Sequence, residues 1–159
     1  MERATASDVP WGLGGAQPGA PGSADWLMGR WRLRRVIHDR RLARTGRVDG
    51  ALTVSPCLTE AGRLVVDEAG EMQLGGATYS VSRRSLWTPE GDGAIALTFE
   101  DGRPFHTIRP RAGFAVARHE CAADLYEVVY RFGQGRWSSL WTVSGAAKNY
   151  TMASVMTRS

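Results

Sequence analysis

Two of the chain's three histidines and one of its two cysteines fall within DGRPFHTIRPRAGFAVARHEC, residues 101–121. An imidazole can exchange a proton near neutral pH or ligate a metal, and a thiol is a second soft donor. On an extended strand the H-x-C spacing puts His119 and Cys121 on one face. The stretch reads as a β-hairpin around RPRAG, in which His106 has two settings. If Ile108 opposes Phe114, His106 lies on the face opposite His119; a shift of one residue brings both imidazoles to the same side. Arg103, at the turn before His106, is a further candidate for ligand binding. H-x-C lacks the paired spacing of zinc motifs and nothing obvious supplies a fourth ligand, so no metal is expected.

Three other segments carry groups of the same kind. In GRWRLRRVIHD an inward Trp31 would put Leu33, Arg35, Ile37 and Asp39 on the same face. A guanidinium in an apolar interior needs a partner, since removing one costs about 3–5 kcal/mol. Asp39, Asp101, Asp124 and a bound ligand are the candidates for Arg35. After AAD, the spacing of Tyr126, Val128, Tyr130 and Phe132 makes a core-lining stripe with its polar end at a rim. WSSLWTVSG then alternates Trp137, Ser139, Trp141 and Val143, and the following turn delivers Lys148 and Tyr150. Trp137 and Trp141 would give a ligand flat apolar walls, whereas His119, Tyr126, Lys148 or Tyr150 could orient it or move a proton. Lys148 is the only lysine among twenty basic residues. Buried, its amine would lose affinity for a proton and suit a base or a Schiff base; beside a carboxylate it would stay charged and act as an anchor.

Several classes of function are disfavoured. The chain has no run of eighteen apolar residues and no apolar segment after a basic start, so a membrane span and a secretory signal are not expected, and a cytoplasmic protein is. Two distant cysteines in such a protein are expected to stay reduced. The net charge of +4 and eight arginines in residues 30–47 invite a nucleic-acid reading. That segment alternates apolar and basic residues as a half-buried strand does, which makes its arginines a solvated face. There is no G-x-S-x-G elbow, and the glycines of GLGGAQPGAPG do not stand between a strand and a helix.

The elements that must position these residues are nearly all strands. Residues 1–23 are rich in Gly, Pro, Ala and Ser without periodicity and read as a disordered extension; residues 24–159 form the folded domain. SADWLMGR supplies a serine cap and a short helical turn that Gly29 could end. Period-two segments follow at 31–38, 47–55, 62–68, 77–87, 94–99, 104–108, 114–121, 125–132, 136–145 and 149–157. Their separators include EAG, PEGDG, EDGR, RPRAG and FGQGR. Sequential antiparallel strands with short connections form a meander, and closure into a barrel removes its edges. The fold expected is all-β, an antiparallel up-and-down barrel of eight to ten strands with a short N-terminal helix.

A helical turn followed by GRW, Gly29 to Trp31, resembles the G-x-W opening of lipocalins and other calycins. The resemblance implies that this tryptophan plugs one end of the barrel and that a late arginine stacks on it, here Arg158. The longer series LMGRWRLRRVIHDR, FEDGRPFH, HECAADLY and LWTVSGAAKNY is similar to a bacterial and fungal family of calycin-like proteins classified as a domain of unknown function. This chain departs from it in having SGAAK in place of a glycine-proline before the lysine. The family implies the calycin-like fold and no activity.

The function expected is therefore binding of a small hydrophobic or aromatic molecule inside the barrel. Turnover by a cofactor-independent cyclase, isomerase or dehydratase is favoured, with His119, Tyr126, Lys148 and Tyr150 as catalytic candidates. Arg35, Asp39, Arg103, His106, Cys121, Trp137 and Trp141 are the ligand-binding candidates. A non-catalytic carrier and a haem-binding barrel are the alternatives. Neither a nucleic-acid nor a membrane partner is expected, and a homodimer is left open.

Overall fold

The computed structural model describes residues 19–159, so the extension expected at the N-terminus lies outside the described residues up to position 18. From there the chain turns, with Ser23 N donating to Ala20 O at 2.9 Å, into a one-turn helix α1 (Ala24–Leu27) capped by the Ser23 side chain. Ten strands follow: β1 (Gly29–Asp39), β2 (Arg44–Pro56), β3 (Leu64–Leu74), β4 (Ala77–Pro89), β5 (Ile95–Phe99), β6 (Pro104–Ile108), β7 (Phe114–Cys121), β8 (Asp124–Gly133), β9 (Arg136–Ser144) and β10 (Asn149–Arg158). All are antiparallel to their neighbours, in the order β6-β5-β4-β3-β2-β1-β10-β9-β8-β7. First and last strands are joined through β1 and β10, which wraps the meander into a nearly closed barrel.

Alternation divides each strand between the interior and the outer surface. On β1, Trp31 and Leu33 are buried while Arg30, Arg32 and Arg34 are exposed, and Arg32 pairs with Asp49 at 3.0 Å on the outer face. The arginines of this segment that alternate with apolar residues thus stand largely in solvent.

One end of the barrel is plugged by aromatic packing. Trp31 is fully buried and its Nε1 donates to Leu27 O at 2.8 Å. Trp26 and Trp137 pack against it and Phe132 packs against both of them, and Trp137 meets both Trp31 and Trp87 edge to face at 6.2 and 6.1 Å. The expected Arg158 lies over Trp31 with its guanidinium carbon 3.6 Å from the ring centre, and it donates to Met28 O at 2.6 Å and Trp26 O at 2.8 Å. It therefore ties α1 to the plug as well as stacking on it. Replacing Arg158 by methionine keeps the apolar contact but removes the cation and both hydrogen bonds. The unfolding free energy in urea is expected to fall by about 2 kcal/mol, whereas a loss below about 0.5 kcal/mol would mean that α1 docks without it.

Two expectations about the strands need correction. EAG occurs twice: at 60–62 it forms the expected turn between β2 and β3, but the second copy does not, since the turn from β3 to β4 is made by Gly75 and Gly76 while Glu68, Ala69 and Gly70 lie within β3. The glycine is there because β2 and β3 run unusually close. Gly50 faces Gly70, and a Cβ on either would collide with backbone of the opposite strand. Nor is 101–121 a hairpin. Strands β6 and β7 share no ladder among the described residues and stand at the two ends of the sheet, facing each other across the seam of the barrel. The intervening loop instead closes on β7 itself. Arg111 pairs with Phe114 around Ala112 and Gly113, both at positive φ, and Gly113 O accepts from Phe132 N at 2.8 Å. A side chain at position 113 would strike Phe132 O, so the loop is held to the β8 side and β6 is left apart.

Candidate functional site

Above the plug, the inner wall carries a belt of polar side chains. Register makes its first part continuous: Arg35 of β1 opposes Ser154 of β10, Ser154 opposes Ser139 of β9, and Ser139 opposes Tyr130 of β8. Ser139, Ser154 and Tyr130 are all buried. The belt continues across the seam, where Tyr130 OH lies 3.0 Å from His106 Nε2 on β6. On the other side of Arg35 it reaches Glu68 of β3 and Arg83 of β4. Seven of the ten strands contribute to it.

The charged half of the belt is an ion triad. Arg35 Nη1 meets Glu68 Oε2 at 2.9 Å, Arg35 Nε donates to Ser154 Oγ at 2.7 Å, and Arg83 Nη2 donates to Glu68 Oε1 at 2.7 Å. The Arg35 and Glu68 side chains are 13% and 10% exposed, against 51% for Arg83. Burial pushes the Glu68 carboxyl up, but the Arg83 and Arg35 guanidiniums beside it outweigh burial and hold it below its ordinary value. The partner of Arg35 is therefore Glu68, in place of Asp39, Asp101 or Asp124. Beside the triad lies a half-open pocket of about 120 Å³, lined by Leu33, Arg35, Val48, Glu68, Val81 and Arg83 with backbone at Gly70.

The other half of the belt is neutral. Burial, with the nearby charges of His119 and Arg83, lowers His106 to a pKa of about 4, and burial raises Tyr130 well above the ordinary tyrosine value. At neutral pH an uncharged imidazole and an un-ionised phenol thus share one hydrogen bond. His106 Nδ1 is buried and has no hydrogen-bond partner among the described residues.

Toward the opposite end the wall becomes aromatic. A register shift between Leu97 and Thr98 makes Phe105 the extra residue of a bulge. Its ring stacks on Trp141 at 5.2 Å with 3° between planes and meets His119 edge to face at 5.0 Å. Phe105 thus closes with its side chain the seam that β6 and β7 leave open with their backbones. The rim beyond it holds a second polar group, in which Lys148 Nζ donates to Asp124 Oδ2 at 2.8 Å and to Tyr126 OH at 2.6 Å. These hydrogen bonds raise the lysine well above its ordinary value, which is the geometry of a charged anchor. Tyr150 stands opposite Asp39 in register and is raised by burial.

A family model described as a family of unknown function (DUF6314) matches residues 27–158. The chain belongs to the DUF6314 family. No curated protein matches it. A solved structure of an S-type phycobiliprotein lyase from Guillardia theta is similar in fold, with a TM-score of 0.56 and 11% identity over 83% of this chain and 88% of that one. At that identity the likeness concerns the fold alone.

The DUF6314 chain brings some of the expected site residues together and separates others. His119, Tyr126 and Phe105 form one cluster at the mouth, with Lys148 hydrogen-bonded to Tyr126. His106 and His119 both face inward, which is the one-residue-shifted setting, although the two strands reach it without pairing. Trp141 stands between the belt and the mouth, whereas Trp137 is part of the plug. Asp39 accepts from the backbone of Arg41 and Leu42 and so holds the β1–β2 turn. Arg103 pairs with Asp101 over the Phe99 ring at the rim, and Cys121 is exposed at the end of β7. Glu68, Arg83, Ser139, Ser154 and Tyr130 were not singled out as site residues. Inward parity from Leu64 through Val66 along the expected strand 62–68 points to Glu68 as its last member.

Among the described residues no helix is long and apolar enough to cross a membrane, and no cluster of three metal-ligating side chains occurs.

Proposed function

We propose that this chain binds a small, partly aromatic organic molecule in the barrel interior, with its polar end on the belt and its planar part among Phe105, Trp141 and Tyr126. The observation that carries this reading is the belt itself, a row of hydrogen-bonding groups on seven strands above an apolar plug, five of them, Glu68, His106, Tyr130, Ser139 and Ser154, buried. A barrel filled only for stability would place aliphatic side chains there, because a buried ion pair contributes little or nothing beyond a well-packed apolar replacement. Use of a similar fold by a phycobiliprotein lyase agrees with action on an organic ligand, and the bulge at Phe105 beside the seam offers an adaptable entrance.

A second reading, cofactor-independent catalysis, is favoured by the His106–Tyr130 pair. A neutral imidazole with one unpartnered nitrogen can take a proton from a bound molecule while the adjacent phenol stabilises it, which suits an isomerisation, a cyclisation or a dehydration. His119, Tyr126, Lys148 and Tyr150 at the mouth would then orient the substrate.

The test is direct. Purified protein is titrated with planar aromatic probes, indole and naphthalene among them, and tryptophan emission and Tm are followed. Saturable quenching and a raised Tm are expected in the wild type, and both effects should shrink by about tenfold in affinity in Trp141→Leu. Unchanged emission and Tm with every probe at millimolar concentration would refute ligand binding in the chamber.

A further inference from the structure

We propose that the pocket beside the ion triad is a subsite for a small organic monoanion with a ring-sized apolar body, and that Arg83 is the side chain that takes its charge. This deepens the reading of the barrel as a ligand chamber and rests on it.

The charge count comes first. Two guanidiniums, Arg35 and Arg83, face one carboxylate, Glu68, so the wall carries one positive charge in excess. A half-open pocket with apolar sides strengthens any charge pair formed in it relative to water. One anionic group balances the wall, whereas a second would meet the Glu68 carboxylate. The pocket therefore prefers a monoanion to a neutral molecule or a dianion.

The two arginines are not equivalent. Arg35 is held on both sides, by Ser154 at Nε and by Glu68 at Nη1, with little of its side chain exposed. It spans the gap between β10 and β3 as a strut. Arg83 reaches Glu68 through Nη2 alone and its side chain is half exposed. Its remaining N–H groups have no partner among the described residues, and the planar fork of a guanidinium matches a carboxylate.

Size and walls define the rest of the ligand. The pocket of about 120 Å³ is slightly smaller than the engineered apolar cavity of roughly 150 Å³ that accepts benzene. Leu33, Val48 and Val81 are its apolar sides, and Gly70 leaves one wall as bare backbone. An aromatic or alicyclic carboxylate fits this description.

Benzoate and its neutral isostere benzamide are the probes, with binding followed by calorimetry on the full-length wild type, Arg83→Met and Val81→Phe. Arg83→Met keeps the aliphatic stem and leaves Glu68 paired to Arg35, so the barrel persists; Val81→Phe fills the pocket. We expect the wild type to bind benzoate about tenfold more tightly than benzamide. Arg83→Met should bring benzoate down to the affinity of benzamide, and Val81→Phe should remove both. Equal affinity for the two probes in the wild type, or benzoate binding indifferent to Arg83→Met, would overturn the monoanion subsite while leaving the ligand chamber standing. Absence of binding by either probe at millimolar concentration would overturn the subsite, and it would count against the chamber as well if planar probes also left Tm unmoved.

Discussion

Glu68→Leu is expected to lose about 3–5 kcal/mol of unfolding free energy. Arg35 has its Nη1 on Glu68 and only 13% of its side chain exposed, so removing the carboxylate strands a guanidinium where water reaches it poorly. Arg83, half exposed, can turn into solvent and contributes little to the loss. The cost lies in the abandoned charge and not in the vanished attraction. It follows that Arg35→Met combined with Glu68→Leu should come back to within about 1 kcal/mol of the wild type, since methionine and leucine can pack where the pair stood. Urea denaturation of the two single variants and the double variant checks this. A single-variant loss below about 1 kcal/mol would show that the belt is hydrated and that its ion triad behaves as a surface pair.

The same residues explain what was legible in the sequence. Period-two alternation from Trp31 onward is a local property of one strand, and it pointed to Trp31, Leu33 and Arg35 on one inner face without any knowledge of neighbours. G-x-W with a late arginine likewise marked both ends of the chain that meet at the plug. Partners were harder, because they depend on register. Arg35 meets Glu68 diagonally across β2, a meeting that only the register among three strands brings about. Glycine at position 70 answers to the close approach of β2, a tertiary cause invisible along one strand. Residues 101–121 failed as a hairpin for a related reason. Turn chemistry at Ala112 and Gly113 is genuine, but it closes Arg111 on Phe114, and hydrogen bonding to Phe132 then carries the loop away from β6. His106 and Tyr130 lie 24 positions apart on strands that are not neighbours in the sheet, so no spacing rule could have joined them.

Acid should destabilise the protein in a window set by His106, which opens near pH 6.5, above the range in which carboxylates titrate, and runs down to about pH 4. Its imidazole has a pKa of about 4 in the folded barrel against 6.5 ordinarily, because burial first, and the charges of His119 and Arg83 next, disfavour the cation. The unfolded chain therefore takes up a proton at this position at higher pH than the folded chain does. Stability due to the neutral imidazole is complete above pH 6.5 and is lost as pH falls toward 4, by about 3 kcal/mol in all. Glu68 acts in the same direction but lower, as its carboxyl, held below the ordinary 4.5, is finally protonated. His106→Phe separates the two. Phenylalanine carries no proton and leaves Tyr130 OH without its partner, so the variant should be less stable at pH 7.5, with a curve that stays flat down to about pH 5 where the wild type declines. Parallel curves for the two proteins between pH 7 and 5 would mean that His106 is not desolvated, and the neutral half of the belt would then be open to water.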